Sequence, residues 1–217
     1  MNVNTRLGLI CAVMMPCGLA STVSAAPLSI STDASIGSPP NILPGEISGS
    51  FTFNIVNAVD TDAPDDLLTG WQVTLDIVPL AGATGTVEIF DVSTPSAGYL
   101  LEGAGFGIGA NRNGENLTIF DFILFAPPVQ VPAAPGAPLF DYRLEASADA
   151  LGDFGIYAVA SLSEWADNSS PIVLAREFEG LPFDSGPVLI GQVTVVPTPS
   201  TAAVVGLAGV MASRRRR

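Results

Sequence analysis

The feature that most constrains this chain is a strict period-two alternation of apolar and polar residues, which recurs in separate segments. At 71–78, Trp71, Val73, Leu75 and Ile77 alternate with Gln72, Thr74 and Asp76. At 50–57, Phe51, Phe53 and Ile55 alternate with Thr52 and Asn54. Phe140, Tyr142, Leu144 and Ala146 alternate with Asp141, Arg143 and Glu145, and 85–91 repeats the pattern through Val87 and Ile89. Successive side chains of a strand point to opposite faces, so this period marks strands with one face in a core and one in water. Further strands are expected at 28–32, 154–161, 172–175 and 188–196. Leu117–Phe125 is apolar on both faces and reads as a central, doubly covered strand.

The intervals between these segments are turn chemistry. Residues 102–114 form a glycine-rich stretch, and 127–138 (PPVQVPAAPGAP) hold five prolines in twelve residues. Proline lacks the N–H that a ladder needs, so 127–138 reads as a long inter-strand loop. It is not a domain linker, because only 58 residues follow before Pro197, few for an independent core. About nine strands with polar turns and no amphipathic helix between the termini predict an all-β fold, an antiparallel β-sandwich of jelly-roll-like form.

The two ends follow other rules. Residues 1–25 carry Arg6, an apolar run from Leu7 to Met15, and the small residues Val23-Ser24-Ala25. That is the build of a secretory signal peptide cut by signal peptidase after Ala25, or one residue later after Ala26. Both cysteines, Cys11 and Cys17, fall inside it, so the body at 26–196 has no disulfide and no thiol nucleophile. At the other end, 197–217 read as a Pro-x-Pro turn, an uncharged run from Thr201 to Ser213 and a cluster of four arginines. As a helix that run is about 20 Å long, short of the ~30 Å hydrocarbon core. It seats in a bilayer if the arginine stems snorkel, with the cluster cytoplasmic and everything before Pro197 outside.

All 21 carboxylates lie in the body, against Arg112, Arg143 and Arg176, which leaves it at −18. Such a surface repels nucleic acid, whose phosphates need clustered cations. The chain has no histidine and no lysine. A Ser-His-Asp triad, a usual zinc site, a Schiff base and a Walker-type loop are therefore excluded.

The tail closely resembles the PEP-CTERM sorting signal of Gram-negative bacteria, which an exosortase recognises and cleaves. The resemblance rests on Pro197, Thr198, Pro199 and Ser200, the short apolar run, and Arg214, Arg215, Arg216 and Arg217. It departs at Thr198, where the family usually has Glu. It implies an exported protein, membrane-held through its short C-terminal helix before processing, then displayed on the cell surface, the outer membrane or the extracellular matrix. The body resembles a cohesin or carbohydrate-binding-module sandwich. The carrying residues are Gly70–Asp76 and the pair Pro138–Ala146 and Phe154–Tyr157. That resemblance implies a dockerin or a polysaccharide as partner.

Four clusters could carry chemistry. Glu164 and Asp167 flank Trp165, an indole outside any clear alternation, which could form an exposed sugar-stacking platform; the simpler reading is a ring folded over the core. Asp60, Asp62, Asp65 and Asp66 could offer oxygens to calcium, although the EF-hand pattern fails at Asp65 and Trp71, and a solvated acidic turn is the simpler reading. Gly105–Ala110 has G-x-G-x-x-A spacing but is followed by turn residues, not a helix start. Asp184-Ser185-Gly186 resembles an aspartic-protease triplet, but a second triplet is missing and a β-turn is preferred. The expectation is a non-enzymatic structural or interaction protein, with a cohesin-like or carbohydrate-binding module as the alternative and a carboxylate-dependent hydrolase third.

Overall fold

A computed structural model describes residues 28–57, 67–124, 126–133, 135–170 and 172–197, of which 167–170 and 172–174 are described by their backbone alone. The described residues form thirteen strands: β1 (Leu28–Thr32), β2 (Asn41–Ile42), β3 (Phe51–Asn57), β4 (Leu67–Pro79), β5 (Val87–Ser93), β6 (Gly109–Asn113), β7 (Asn116–Phe122), β8 (Val129–Gln130), β9 (Ala137–Ala146), β10 (Gly152–Val159), β11 (Glu164–Ser170), β12 (Ile172–Arg176) and β13 (Pro187–Val195). The smaller sheet runs β1-β3-β9-β5. The larger has nine strands, in the order β12-β11-β4-β10-β13-β2, with β7 and β8 also paired to β4 and β6 paired to β7.

β4 is the spine of the larger sheet, and its alternation does what the sequence predicts. Trp71, Val73 and Leu75 are buried on the inner face. Trp71 stacks on Phe140 of β9 at 5.5 Å, and Phe140 stacks on Phe53 of β3 at 4.7 Å, so one column of rings joins the two sheets. Burying each such ring stabilises the sandwich by about 1.5–3 kcal/mol. One edge of β4 changes partner partway along: β11 pairs with it up to Gln72, and β10 takes over from Leu75. The short 3₁₀ turn Ala160–Leu162 joins those two partners. At the changeover Thr74 N–H donates to Ser163 Oγ at 3.1 Å, and Thr74 Oγ1 donates to Leu162 O at 3.0 Å. That explains why Thr74, expected on the wet face, is buried: a backbone donor left without a ladder partner must find a side chain.

Four expectations need correction. Residues 109–113, read as part of a glycine-rich loop, form β6, an edge strand whose exposed residues carry no apolar period. Residues 117–122 are not doubly covered: Leu117, Ile119 and Asp121 are buried while Phe122 opens to solvent. Within the proline-rich interval Val129 and Gln130 do join a ladder, against Leu68 and Leu67. Finally, β2 and β13 pair in parallel, the exception among otherwise antiparallel pairs of named strands.

Candidate functional site

Asp121 is the one carboxylate buried among the described residues, at 1% exposure on the inner face of β7, opposite Trp71. A buried carboxylate is costly unless donors surround it. Three do. Tyr99 Oη–H donates to Oδ2 in a short hydrogen bond, and the N–H groups of Gly107 and Phe122 donate to Oδ1 at 3.1 and 2.7 Å. Burial, then the Asp121 carboxylate, pushes the Tyr99 hydroxyl well above the usual tyrosine range, so it stays a donor. Trp71 Nε1 is buried with no partner of hydrogen-bond geometry, although it lies close enough to the Tyr99 hydroxyl to offset part of that rise.

This carboxylate accounts for the glycine-rich segment. A Cβ on Gly105 would stand 2.3 Å from Asp121 Oδ2, so only glycine lets the loop close over it. The loop is then tied to β7 again, with Phe106 N–H donating to Phe122 O at 3.1 Å. The G-x-G-x-x-A spacing therefore cradles the chain's own anion. A phosphate would meet a carboxylate there, and the Gly107 N–H is already spent on it.

Above the clamp, on the outer face, stand Phe106 and Phe122, 62% and 38% exposed, with Leu124 at 55%. The two rings stack at 5.3 Å and 12°. Because Leu117, Ile119 and Asp121 point inward, Thr118, Phe120 and Phe122 point outward. Across the sheet, Gly109, Phe120, Gln72 and Glu164 lie in one row over β6, β7, β4 and β11. Phe120 lies across Gly109, where a Cβ would be 2.7 Å from the ring. The hairpin strands turn both of their charged side chains away from this face. Asp121 is buried, and Arg112, on the Leu117 side, donates to Ile89 O at 2.7 Å and meets Glu88 at 3.6 Å. Arg112 also lines an opening of about 340 Å³ between the sheets, together with Leu75, Ile77, Val87 and Leu117.

The outer face of the smaller sheet is built differently. A bulge in β5 between Ile89 and Asp91 presents Phe90 and Asp91 together. Arg143 of β9 lies over the Phe90 ring at 5.3 Å and grips the Asp91 carboxylate with two N–H groups. The paired guanidinium holds the Asp91 carboxyl below its ordinary range. Beside it Thr52 Oγ1 donates to Asp141 at 2.8 Å.

Of the two readings of Trp165, an exposed platform and a ring folded over the core, the structure has the second. Trp165 is fully buried in β11, opposite Trp71, with Nε1–H donating to Glu177 O at 3.1 Å and Arg176 over its ring at 5.7 Å. Glu164, its neighbour, faces outward beside Gln72, half-buried, and burial raises its pKa. Asp167 is on β11, but its side chain lies outside the described residues. Asp60, Asp62, Asp65 and Asp66 are outside them too, as are Ala25, Ala26 and the tail beyond Pro197. Among the described residues no group of three or more His, Cys, Asp or Glu is placed to hold a metal. Asp184 sits in a turn closed by Ser185 N–H donating to Pro182 O at 2.8 Å. Sequence reasoning missed Tyr99, Phe106 and Asp121. Of these, Asp121 left a trace, as the lone charge inside the apolar run 117–125.

No protein-family model matches the chain, and no curated protein matches it in sequence. Solved structures do match. The seventh ScaB type I cohesin from Pseudobacteroides cellulosolvens superposes with a TM-score of 0.51 at 12% identity, covering 79% of this chain and 94% of that one. The OlpA cohesin of Clostridium thermocellum, solved in complex with a dockerin, gives 0.48 at 10% identity, covering 78% and 99%. A type III cohesin module of the ScaE cell-surface anchoring scaffoldin of Ruminococcus flavefaciens gives 0.46 at 12%, covering 84% and 94%. At these identities the first likeness carries the fold alone, and the body is a cohesin-like β-sandwich.

Proposed function

We propose that this chain is an exported protein of a Gram-negative cell surface or matrix, delivered by an exosortase-type system, whose cohesin-like sandwich is a non-enzymatic interaction module. The observation that carries the reading is how the described body fits between the two terminal signals. β13 ends at Val195, two residues before an exposed Pro197 that opens the sorting motif, and at the other end Leu28, the first described residue, is already buried in β1. Processing after Ala26 and beyond Pro197 would therefore leave every described strand in place. The module has two candidate partner classes: a protein, such as the dockerin bound by a fold neighbour, or an extracellular polysaccharide. Calcium at Asp60, Asp62, Asp65 and Asp66 belongs to the same proposal, tested by a calcium-dependent melting temperature that disappears in Asp62→Ala/Asp65→Ala.

The test of delivery is intact mass and cell fractionation in a Gram-negative host with and without its exosortase. With the enzyme, the chain begins at Ala26 or Pro27, has lost its arginine cluster and is found outside the cytoplasmic membrane. Without it, the tail persists and the chain stays membrane-held. A cytosolic chain with both ends intact contradicts the proposal.

A further inference from the structure

The interaction-module reading leaves open which surface works and on what, and the outer face of β6, β7 and β4 answers both. Its rings are preorganised from below. The Asp121 carboxylate binds the N–H groups of Gly107 and Phe122, the residues next to Phe106 and Asp121 in the chain, and Phe106 N–H is bonded to Phe122 O. A buried charge thus holds an exposed pair of aromatic rings in fixed relation, and a site is most precise when a second layer fixes its first. Stacked on Phe122 on one side, Phe106 at 62% exposure turns its other ring face to water.

The chemistry around the rings selects an occupant. On a body at −18, the strip shows between its ends only amides, hydroxyls and rings: Asn111 and Thr118 form one cross-strand pair of the β6–β7 hairpin, and Phe120 stands beside Gln72 of β4, whose Nε2 donates to Leu162 O at 3.1 Å and leaves its Oε1 as an acceptor. Glu164 at the end of that row is an acceptor for hydroxyl protons. An anionic polymer is repelled by such a body, and a cationic partner finds carboxylates only at the ends of this strip, Glu164 on β11 and Asp76 further along β4, with none beside the rings. Aromatic faces beside uncharged donors and acceptors match a molecule with apolar C–H faces and equatorial hydroxyls. We infer that this strip binds a neutral polysaccharide chain, with Phe106 and Phe122 as the stacking surface and Gln72, Asn111 and Glu164 as hydrogen-bonding partners. The inference rests on the interaction-module reading and replaces Trp165 as the aromatic contact.

The experiment is affinity electrophoresis of the full-length chain in gels carrying hydroxyethylcellulose, barley β-glucan or dextran as neutral polymers, and polygalacturonate as the acidic one. Retardation is expected in at least one neutral gel and not in polygalacturonate. It should weaken at least tenfold in Phe106→Ala/Phe122→Ala, survive in Phe90→Ala, and return in Phe106→Trp/Phe122→Trp. The tryptophan variant keeps the test decisive if the double alanine variant melts early. No retardation in any neutral gel, or equal retardation with and without the two rings, overturns the inference. Retardation lost in Phe90→Ala alone overturns it while leaving the module reading standing on the other sheet. Concentration-dependent dimerisation abolished by Phe106→Ala overturns it in favour of a second copy.

Discussion

The two outer faces of the sandwich each expose aromatic rings, and they treat them in opposite ways. On the smaller sheet Phe90 is 47% exposed, yet Arg143 lies across it and is itself pinned by Asp91. On the larger sheet Phe106 and Phe122 have each other and no cation. The body has three arginines: Arg143 covers Phe90, Arg176 covers the buried Trp165, and Arg112 ties β6 to Ile89 and Glu88. None is placed over the Phe106–Phe122 pair. Exposed area alone would rank the two faces as similar; the cation over one ring shows which is already satisfied by the protein and which is open to a ligand.

Substitutions should separate these environments by size of effect. Trp165→Ala should cost about 3–5 kcal/mol in denaturant unfolding, since it empties a fully buried ring site and frees the Glu177 carbonyl. A cost under about 1 kcal/mol would return Trp165 to the surface. Asp121→Ala should cost about 1–3 kcal/mol by leaving the Tyr99 hydroxyl and two N–H groups without an acceptor. It should also speed amide exchange at Gly107 while β5 and β9 exchange as before; uniform change across both sheets would deny a local clamp. Phe106→Ala should shift stability by less than about 0.5 kcal/mol, as surface changes usually do, and a larger loss would make that ring structural.

The smallest effects are in pH, and they have opposite signs on the two faces. Glu164 has a raised pKa from burial, so the folded chain holds its proton longer than the unfolded one. Its ionisation then costs stability as pH climbs from the ordinary glutamate range through the raised value, and Glu164→Gln should raise the neutral-pH melting temperature slightly. Asp91 has a lowered pKa from Arg143, so its contribution is present above the ordinary aspartate range and lost as pH falls through the depressed value. Asp91→Asn should therefore lower stability at neutral pH and flatten the acid limb. Melting curves from pH 3 to 8 check both, and matching signs would erase the distinction.

How much of this was legible follows from what period two can encode. Alternation reports a face pressed against a core, so β3, β4 and β9 were readable from Phe53, Val73 and Leu144. A ladder needs only backbone, so β6, with the sequence GANRN, gave no signal. β11 was hidden for another reason: register shifts after Ala166 and again after Asp167 break its period around Trp165. The Phe106–Phe122 pair is sixteen residues apart and is brought together by a carboxylate that sequence alone cannot place inside. Its neighbours Gly105 and Gly109, which read in sequence as part of a glycine-rich stretch, are close approaches to Asp121 and Phe120.

The most direct measurement of the central claim is a hydrogen–deuterium exchange footprint of the full-length chain with and without the neutral polymer that retards it most. The account predicts added protection confined to residues 105–124 and 70–74, with β5 and β9 unchanged. Protection centred on 88–93 and 141–145, or none on either sheet, would contradict it.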